Sequence, residues 1–320
     1  MIEERKESKS VNASGVSSDV IHNFSELRAC ARRLGPKRVA VVVADDEVAL
    51  TAAANASQQG IAIPVLIGDE RKIRSKAQEL GMEEALAHFE LVDAPDAAAC
   101  AARMAGSGAV SVLLKGHLRT DELLHAVLDK QYGLRTGRLL CDVLLFEDVL
   151  SGTTRLVAMT DGGVNVAPTL DQKKAIVVNA IQVMRTLGVA RPKVAILSAS
   201  DAVLPAMPST QDAAALTEVG NNGGFGEADV YGPIQLDAAL IESAARIKGV
   251  FNAVAGCADC LIVPNIEAGN LLGKAVLFLA GIKCAHIIVG AKVPVLIPSR
   301  AESAEDKVNS IAMGVICAAG

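Results

Sequence analysis

The chain is long, rich in aliphatic residues and mildly acidic. It has 320 residues, of which 51% are hydrophobic and only 2% aromatic, and its formal net charge is −5. This length predicts two domains of roughly 150 residues each, while scarce aromatic residues and dispersed basic residues argue against nucleic acid as a partner.

The beginning of the chain predicts a disordered tail over residues 1–20. Its first ten residues are largely charged, where a secretory signal would need an apolar core. Apolar runs further along, such as 282–297, are interrupted by charged residues and proline, so no membrane span is expected. The chain has seven cysteines, an odd number scattered along its length, and we expect them to be reduced thiols and not a disulfide framework. We therefore expect a cytoplasmic protein.

The first half of the chain alternates short aliphatic runs with amphipathic segments. Such alternation predicts a doubly wound parallel sheet. Runs 138–146 and 154–160 flank a Ser-Gly turn and predict an antiparallel pair that crosses to the next domain. The predicted strands are 38–44, 64–67, 89–92 and 110–114, and the predicted helices are 46–59, 70–80, 96–105 and 120–128.

The second half continues the α/β pattern, with a turn-rich loop at 221–226. A last helix after Pro298 is expected to return to the first domain. We therefore predict an α/β fold of two doubly wound domains with a cleft between them, domain I covering 21–157 plus 294–320 and domain II 158–293. The predicted strands are 193–198, 260–263 and 286–289, and the predicted helices are 170–187, 236–248 and 268–280.

A loop at 115–121 is the first candidate anion-binding site. It follows a predicted buried strand, and its sequence is Lys-Gly-His-Leu-Arg-Thr-Asp. Gly116 would allow close backbone approach, and four side chains can donate hydrogen bonds to an oxyanion. The alternative is that the threonine caps the following helix while the charges face water. The four donors are Lys115, His117, Arg119 and Thr120.

The end of the last predicted strand is the second candidate site. Ser299 and Arg300 follow this strand, and Asp306 comes six residues later in the first turns of a helix. A guanidinium and the free N–H groups of a helix start would hold a phosphate there. The alternative is an ordinary loop with Ser303 as the helix N-cap.

Two further motifs are weaker. Arg135 and Arg138, in the run Gly-Leu-Arg-Thr-Gly-Arg, could clamp an anion or could belong to a solvated loop. Cys257 and Cys260 have the spacing of a redox or metal site, but no second pair completes a zinc site, so buried structural thiols are the expectation. No nucleotide-binding glycine motif is present.

Several motifs in collinear order resemble one family, the phosphate acyltransferases that include phosphate acetyltransferase and phosphate butyryltransferase. The resemblance covers roughly residues 25–320 and rests on the segments at 114–123, 133–138, 160–168, 196–200, 207–210, 264–270, 290–295 and 298–303. Three positions depart from the expected pattern, namely Tyr231 before Gly-Pro, Asn265 before Ile-Glu-Ala-Gly-Asn, and Cys141-Asp142 where Ser-His often follows the arginine loop.

The resemblance implies transfer of an acyl group between coenzyme A and inorganic phosphate, giving an acyl phosphate, without metal or nicotinamide. It also implies an architecture like that of isocitrate and isopropylmalate dehydrogenases, with the site in the interdomain cleft, and a homodimer. Ser299 and Arg300 match the catalytic Ser-Arg pair, and Asp306 matches the proposed base.

The first hypothesis for the reaction is phosphate acetyltransferase, and the alternative is phosphate butyryltransferase. A metal-dependent dehydrogenase or decarboxylase of similar architecture and a two-lobed binding protein are more remote. The former would need a cluster of ligands that the five scattered histidines do not supply in sequence.

Overall fold

A computed structural model describes residues 19–150, 152–299 and 302–319, and they form one large mixed sheet covered by helices. The strands, numbered in chain order, are β1 (Lys37–Val42), β2 (Ala62–Gly68), β3 (Glu90–Asp93), β4 (Val112–Lys115), β5 (Cys141–Asp148), β6 (Arg155–Thr160), β7 (Lys193–Leu197), β8 (Asp229–Ile234), β9 (Cys260–Ile262), β10 (Cys284–Val289) and β11 (Val295–Leu296).

The helices of the described residues precede, connect and follow these strands. They are α1 (Phe24–Arg33), α2 (Glu47–Gln58), α3 (Glu70–Glu79), α4 (Glu83–Leu86), α5 (Ala97–Gly106), α6 (Thr120–Leu128), α7 (Leu170–Thr186), α8 (Pro208–Asn221), α9 (Leu236–Leu240), α10 (Glu242–Ile247), α11 (Ile266–Lys274) and α12 (Ala304–Cys317). A π-helical turn, Ala275–Leu279, extends α11. None of these helices combines the length and apolarity needed to cross a lipid bilayer.

The sheet consists of two parallel blocks joined by antiparallel strands. Its order is β3-β2-β1-β4-β11-β10-β5-β6-β9-β7-β8. Pairing is parallel from β3 to β11 and again from β6 to β8, whereas β10 and β5 run antiparallel to their neighbours. The α/β class and the predicted antiparallel pair, now β5 and β6, are confirmed.

Both faces of the sheet are buried, as a doubly wound fold requires. In β1, Val39 and Val41 face one side, whereas Ala40 and Val42 face the other, because side chains alternate along a strand. On the first side, a single apolar cluster reaches from β1 to Val194 of β7. On the second side, two separate clusters form, one under each parallel block. This separation leaves room for a cleft on the second side.

The last helix covers the first parallel block. Apolar residues of α12, among them Ile311 and Met313, pack in the same cluster as Phe24 and Leu66. Their burial returns the chain end to its first half and positions the loop that precedes α12. Strands from both predicted domains belong to one sheet. The boundaries between the two domains remain a prediction.

Several elements differ from the sequence predictions for local reasons. The predicted helix 236–248 is divided by Ile241, which is extended, so it becomes α9 and α10. Strand β8 was not predicted because it contains Gly232 and Pro233; proline is tolerated here because β8 pairs only with β7, at the edge of the sheet. Helices α1 and α8 were also not predicted, and α8 has few large apolar residues to indicate a period.

Candidate functional site

A cavity of about 200 Å³ opens between the two clusters on the second face of the sheet. One wall comes from β5, β10 and the loop after β11, together with the start of α6. The opposite wall comes from a glycine loop after β6 and from α11. The polar side chains that line this cavity are Thr120, Asp142, Asn270, Lys274, His286, Ser299 and Glu302.

Three titratable side chains form a row in the cavity wall. His286 of β10 lies between two carboxylates, with its Nδ1 3.5 Å from Asp142 Oδ1 and its Nε2 3.7 Å from Glu302 Oε1. Burial opposes protonation of the imidazole, but its contact with Asp142 and the charges of Asp142 and Glu302 raise the pKa of His286 above its ordinary value. The two carboxylates therefore favour the protonated form of the imidazole between them.

Glu302 is held beneath the turn that carries Ser299. The backbone N–H of Ser299 donates to Glu302 Oε1 at 2.9 Å. The Glu302 side chain is only 1% exposed, and among the described residues no hydrogen-bond donor reaches its Oε2. Burial raises the pKa of this carboxyl. An unpaired, buried carboxylate oxygen beside a cavity is costly to keep, so it indicates a group with a role in the site.

The glycine loop on the opposite wall is fixed by Asp161. Its carboxylate accepts from the N–H groups of Gly163 and Val164 at 2.9 Å each and from the Asn165 amide at 2.5 Å. An added Cβ on Gly162 would lie 3.0 Å from the carbonyl carbon of Gly269 in α11. The loop and the helix therefore meet backbone to backbone, which only glycine permits.

The loop at 115–121 does not converge on the cavity as a set. Thr120 lines the cavity, but Lys115 Nζ donates to the Leu118 carbonyl at 3.1 Å. The Arg119 guanidinium, 80% exposed, is forked onto Asp121 at 2.7 and 3.0 Å. His117 is also exposed, and its Nδ1 lies 3.8 Å from Asp45 Oδ2.

Gly116 has a structural explanation. An added Cβ there would lie 2.2 Å from the Val43 carbonyl oxygen, and the Gly116 N–H donates to Val42. The close approach predicted for this glycine is therefore to the chain itself.

The two arginines of the 133–138 loop make different contacts. Arg138 donates to Asn179 Oδ1 at 2.6 and 3.0 Å, which ties the loop to α7. Arg135 is exposed and makes an isolated bridge with Ala291. Neither lines the cavity. Their binding of an anion remains a prediction.

The three residues predicted to be catalytic are Ser299, Arg300 and Asp306. Ser299 lines the cavity. Arg300 lies outside the described residues. Asp306 is buried and completes a capping box with Ser303, and its Oδ1 accepts from the Cys284 N–H at 2.9 Å. The role of Asp306 as base remains a prediction, but both of its oxygens already accept hydrogen bonds from the protein.

A larger cavity of about 900 Å³ lies at the carboxyl ends of β1 to β3. Six carboxylates line it, against Lys72 and His125, so its charge is unsuited to phosphate. These carboxylates are Asp45, Asp69, Asp93, Asp96, Glu122 and Asp129.

Cys257 and Cys260 lie in surroundings that suit structural thiols. Cys260 is buried in β9, and burial raises the pKa of its thiol. Cys257 accepts a contact from Lys193 Nζ at 3.1 Å. In the described part of the chain, no group of three or more His, Cys, Asp or Glu side chains is arranged to hold a metal ion.

Sequence reasoning did not select His286, Asp142 or Glu302 as site residues. One signal was available for the first two, because a histidine and an aspartate interrupt two apolar strands. Their pairing required the antiparallel register of β10 and β5, in which Ile288 lies opposite Asp142 and His286 opposite Leu144. Glu302 lies only three residues after Ser299, but its burial was not predictable from that spacing.

Comparisons with known proteins agree with the sequence resemblance. The family model described as "Phosphate acetyl/butaryl transferase" matches residues 24–95 and 90–315. A phosphate butyryltransferase of Clostridium acetobutylicum is 39% identical over 302 residues, which cover 93% of this chain and 99% of that relative. A phosphate acetyltransferase of Rhizobium meliloti is 38% identical over 299 residues, 92% of this chain and 93% of the relative.

A solved structure gives the same result for the fold. The branched-chain phosphotransacylase from Enterococcus faecalis V583 superposes with a TM-score of 0.78 at 28% identity, covering 88% of this chain and 99% of that one. The architecture implied by the resemblance is thereby confirmed. The chain belongs to the phosphate acetyl/butyryl transferase family of acyltransferases.

Proposed function

We propose that this protein transfers an acyl group between coenzyme A and inorganic phosphate, so that acyl-CoA and phosphate give acyl phosphate and coenzyme A. Family membership carries the proposal. A cavity that holds Ser299 beside a protonatable His286 supports it, because such a cavity suits an oxyanion and a thiolate.

The chemistry assigns a role to each residue of the predicted set. The thiol of coenzyme A must become a thiolate before it attacks the acyl carbonyl carbon. Arg300 is proposed to hold the phosphate, and Ser299 to donate to the oxygen that gains charge in the tetrahedral state. The resemblance assigns Asp306 the role of base. The ordinary pKa values of a thiol and an aspartate differ by about 4.6 units, so an unassisted proton transfer would be uphill by about 6 kcal/mol.

Phosphate acetyltransferase is the first form of the proposal, and phosphate butyryltransferase is the second. The second is favoured by the apolar side chains in the cavity wall, among them Leu144, Met159 and Leu277. Each methylene that such a wall buries is worth about 0.8 kcal/mol, so two more methylenes would favour butyryl over acetyl by roughly 15-fold if both were buried.

Initial rates of thioester loss test the proposal. Acetyl-, propionyl- and butyryl-CoA are supplied in turn, with and without phosphate, and kcat/KM is compared along the series. We expect phosphate-dependent loss with at least one of them. The absence of such loss with all three would refute the proposed function, and the rank order would identify the acyl chain.

The remaining expectations from the resemblance are also proposals. We propose a cytoplasmic homodimer that needs neither a metal nor a nicotinamide. Full turnover after exhaustive treatment with a chelator, and a dimer mass in light scattering, are the expected results.

A further inference from the structure

No step of the mechanism given above is assigned to Asp142, His286 or Glu302. We propose that Glu302 accepts the proton of the coenzyme A thiol and that His286 and Asp142 are positioning residues that hold its carboxylate. This inference rests on the proposed acyl transfer and names a further catalytic residue for it.

The two oxygens of Glu302 are in different surroundings. Oε1 accepts from the Ser299 N–H at 2.9 Å and faces His286 Nε2 at 3.7 Å. Oε2 is buried and has no hydrogen-bond donor among the described residues. A carboxylate with one oxygen anchored and the other unpaired has a vacant acceptor position. Glu302 lines the cavity that also holds Ser299, so the two residues belong to the same site.

The proton step balances without any further reactant. The S–H proton moves to Glu302 Oε2, which leaves a thiolate and a neutral carboxyl group. The thiolate forms the S–C bond to the acyl carbonyl carbon of the acyl phosphate, and the C–O bond to phosphate breaks. In the opposite direction, phosphate attacks the thioester and Glu302 returns the proton to the departing sulfur.

The charges around Glu302 come from four elements. His286 of β10 and Lys307 of α12 lower the pKa of Glu302, whereas burial and Asp306 of α12 raise it; burial dominates, so the net pKa is raised. Asp142 of β5 acts through His286, and Lys274 of α11 also lines the cavity. A carboxyl with a raised pKa is a stronger base toward a thiol than an ordinary glutamate, because the gap between the two pKa values narrows.

Two other candidate bases are less suited to this step. The Asp306 carboxylate accepts from the Cys284 N–H and from Ser303, so protonating it would weaken the helix cap. His286 faces a carboxylate oxygen with each of its ring nitrogens, 3.5 Å to Asp142 Oδ1 and 3.7 Å to Glu302 Oε1, so both nitrogens are engaged within the row. Glu302 Oε2 is a buried acceptor atom of the row that no donor among the described residues uses.

The test compares Glu302→Gln with Glu305→Gln in the full chain. Glutamine retains an oxygen for the Ser299 N–H but cannot take a proton. Glu305 is the matched control, because it lies three residues after Glu302, in the first turn of α12, but pairs with Arg28 and Lys283 at the surface. We expect turnover of Glu302→Gln at pH 7 to fall about 10²–10⁴-fold, with Glu305→Gln unchanged.

The pH profile separates a base from a structural residue. The wild-type rate should fall as pH drops through the raised pKa of Glu302. In Glu302→Gln, that acid limb should be lost, and the residual rate should rise about tenfold per pH unit until the thiol ionises near a pKa of about 8.5. A loss of rate with an unchanged acid limb would overturn the inference, as would wild-type turnover in Glu302→Gln.

A second variant carries the test if Glu302→Gln does not fold. His286→Asn removes a cation that lowers the pKa of Glu302, so the acid limb should move to higher pH. An unmoved limb would overturn the inference. If the wild type is active and either variant gives the contrary result stated above, only this inference is refuted. If the wild type is inactive with all three thioesters, the proposed function is refuted and the inference with it.

Discussion

Two loops follow the neighbouring parallel strands β4 and β11, and they use polar residues in opposite ways. The 115–121 loop leaves Arg119, Asp121 and His117 at the surface, where Arg119 pairs with Asp121 and the His117 side chain is 62% exposed. The 299–306 segment buries Glu302 and Asp306 and presents Ser299 to a cavity. Charged residues in a loop are usually exposed to solvent, whereas a buried charged group beside a cavity indicates a functional site.

The difference has an energetic basis. An exposed ion pair between two residues of one loop is worth about 0–1 kcal/mol, because water competes with it. A buried carboxylate oxygen without a donor, such as Glu302 Oε2, is costly unless something else compensates, such as a nearby cation or a ligand. His286 Nε2, 3.7 Å from Glu302 Oε1, supplies this compensation when the imidazole is protonated.

The largest expected effect concerns Asp306. Replacing it by Ala removes the partner of the Ser303 cap and leaves the buried Cys284 N–H without an acceptor. We expect the free energy of unfolding to fall by about 2–4 kcal/mol, measured by urea denaturation. Glu305→Ala is the surface control and should change it by at most about 0.5 kcal/mol.

The same position distinguishes the two assignments of the base. If Asp306 takes the proton, Asp306→Asn should retain coenzyme A binding and lose turnover by about 10²–10⁴-fold. If Glu302 takes it, Asp306→Asn should lower stability while the surviving activity keeps an acid limb, moved to lower pH because the charge of Asp306 raises the pKa of Glu302. A stable Asp306→Asn protein without an acid limb would therefore restore Asp306 as the base.

A smaller effect is expected for Arg300, the proposed phosphate-binding residue. Replacing Arg300 by Ala should cost about 1.5–3 kcal/mol of phosphate interaction, which corresponds to a roughly 10- to 150-fold higher KM for phosphate. Arg119→Ala is the counterpart in the self-paired loop and should leave that KM within about twofold, because its guanidinium is already forked onto Asp121. An equal rise of the KM for phosphate in both variants would show that the two loops do not differ in phosphate binding.

The smallest effect is expected for the cysteine pair. Burial raises the pKa of the Cys260 thiol, so little thiolate is available for metal or redox chemistry. Cys260→Ala and treatment with a chelator should leave turnover largely intact in steady-state assays. Stoichiometric zinc in the purified protein, lost together with activity, would contradict this expectation.

Elements with strong periodicity were predictable from sequence. Helix α6 was predicted with its observed bounds, Thr120–Leu128, and the parallel strands of the first half were found within a few residues. Edge strand β8 and the break at Ile241 were not, because both depend on tertiary surroundings that override the local pattern.

The site was predictable only in part. Ser299 was identified because polar residues after a strand in an α/β fold commonly lie near ligands. The row of His286, Asp142 and Glu302 was not, because it joins three segments far apart in sequence. Asp142 was noted only as a departure from the family pattern, and its place beside His286 required the strand register.

The contact between Gly162 and Gly269 makes the glycine loop a spacer for the cavity. Each glycine faces the other's backbone at contact distance, and an added Cβ on Gly163 would lie 2.7 Å from Asp142 Oδ2. A methyl group at either loop position would force the loop away from α11 or from β5. Between Gly162 and Gly269 the width of the cavity is therefore set by backbone atoms, which have no rotamers to adjust, and under the proposed function selection among acyl chains falls to the side chains that line the remaining depth.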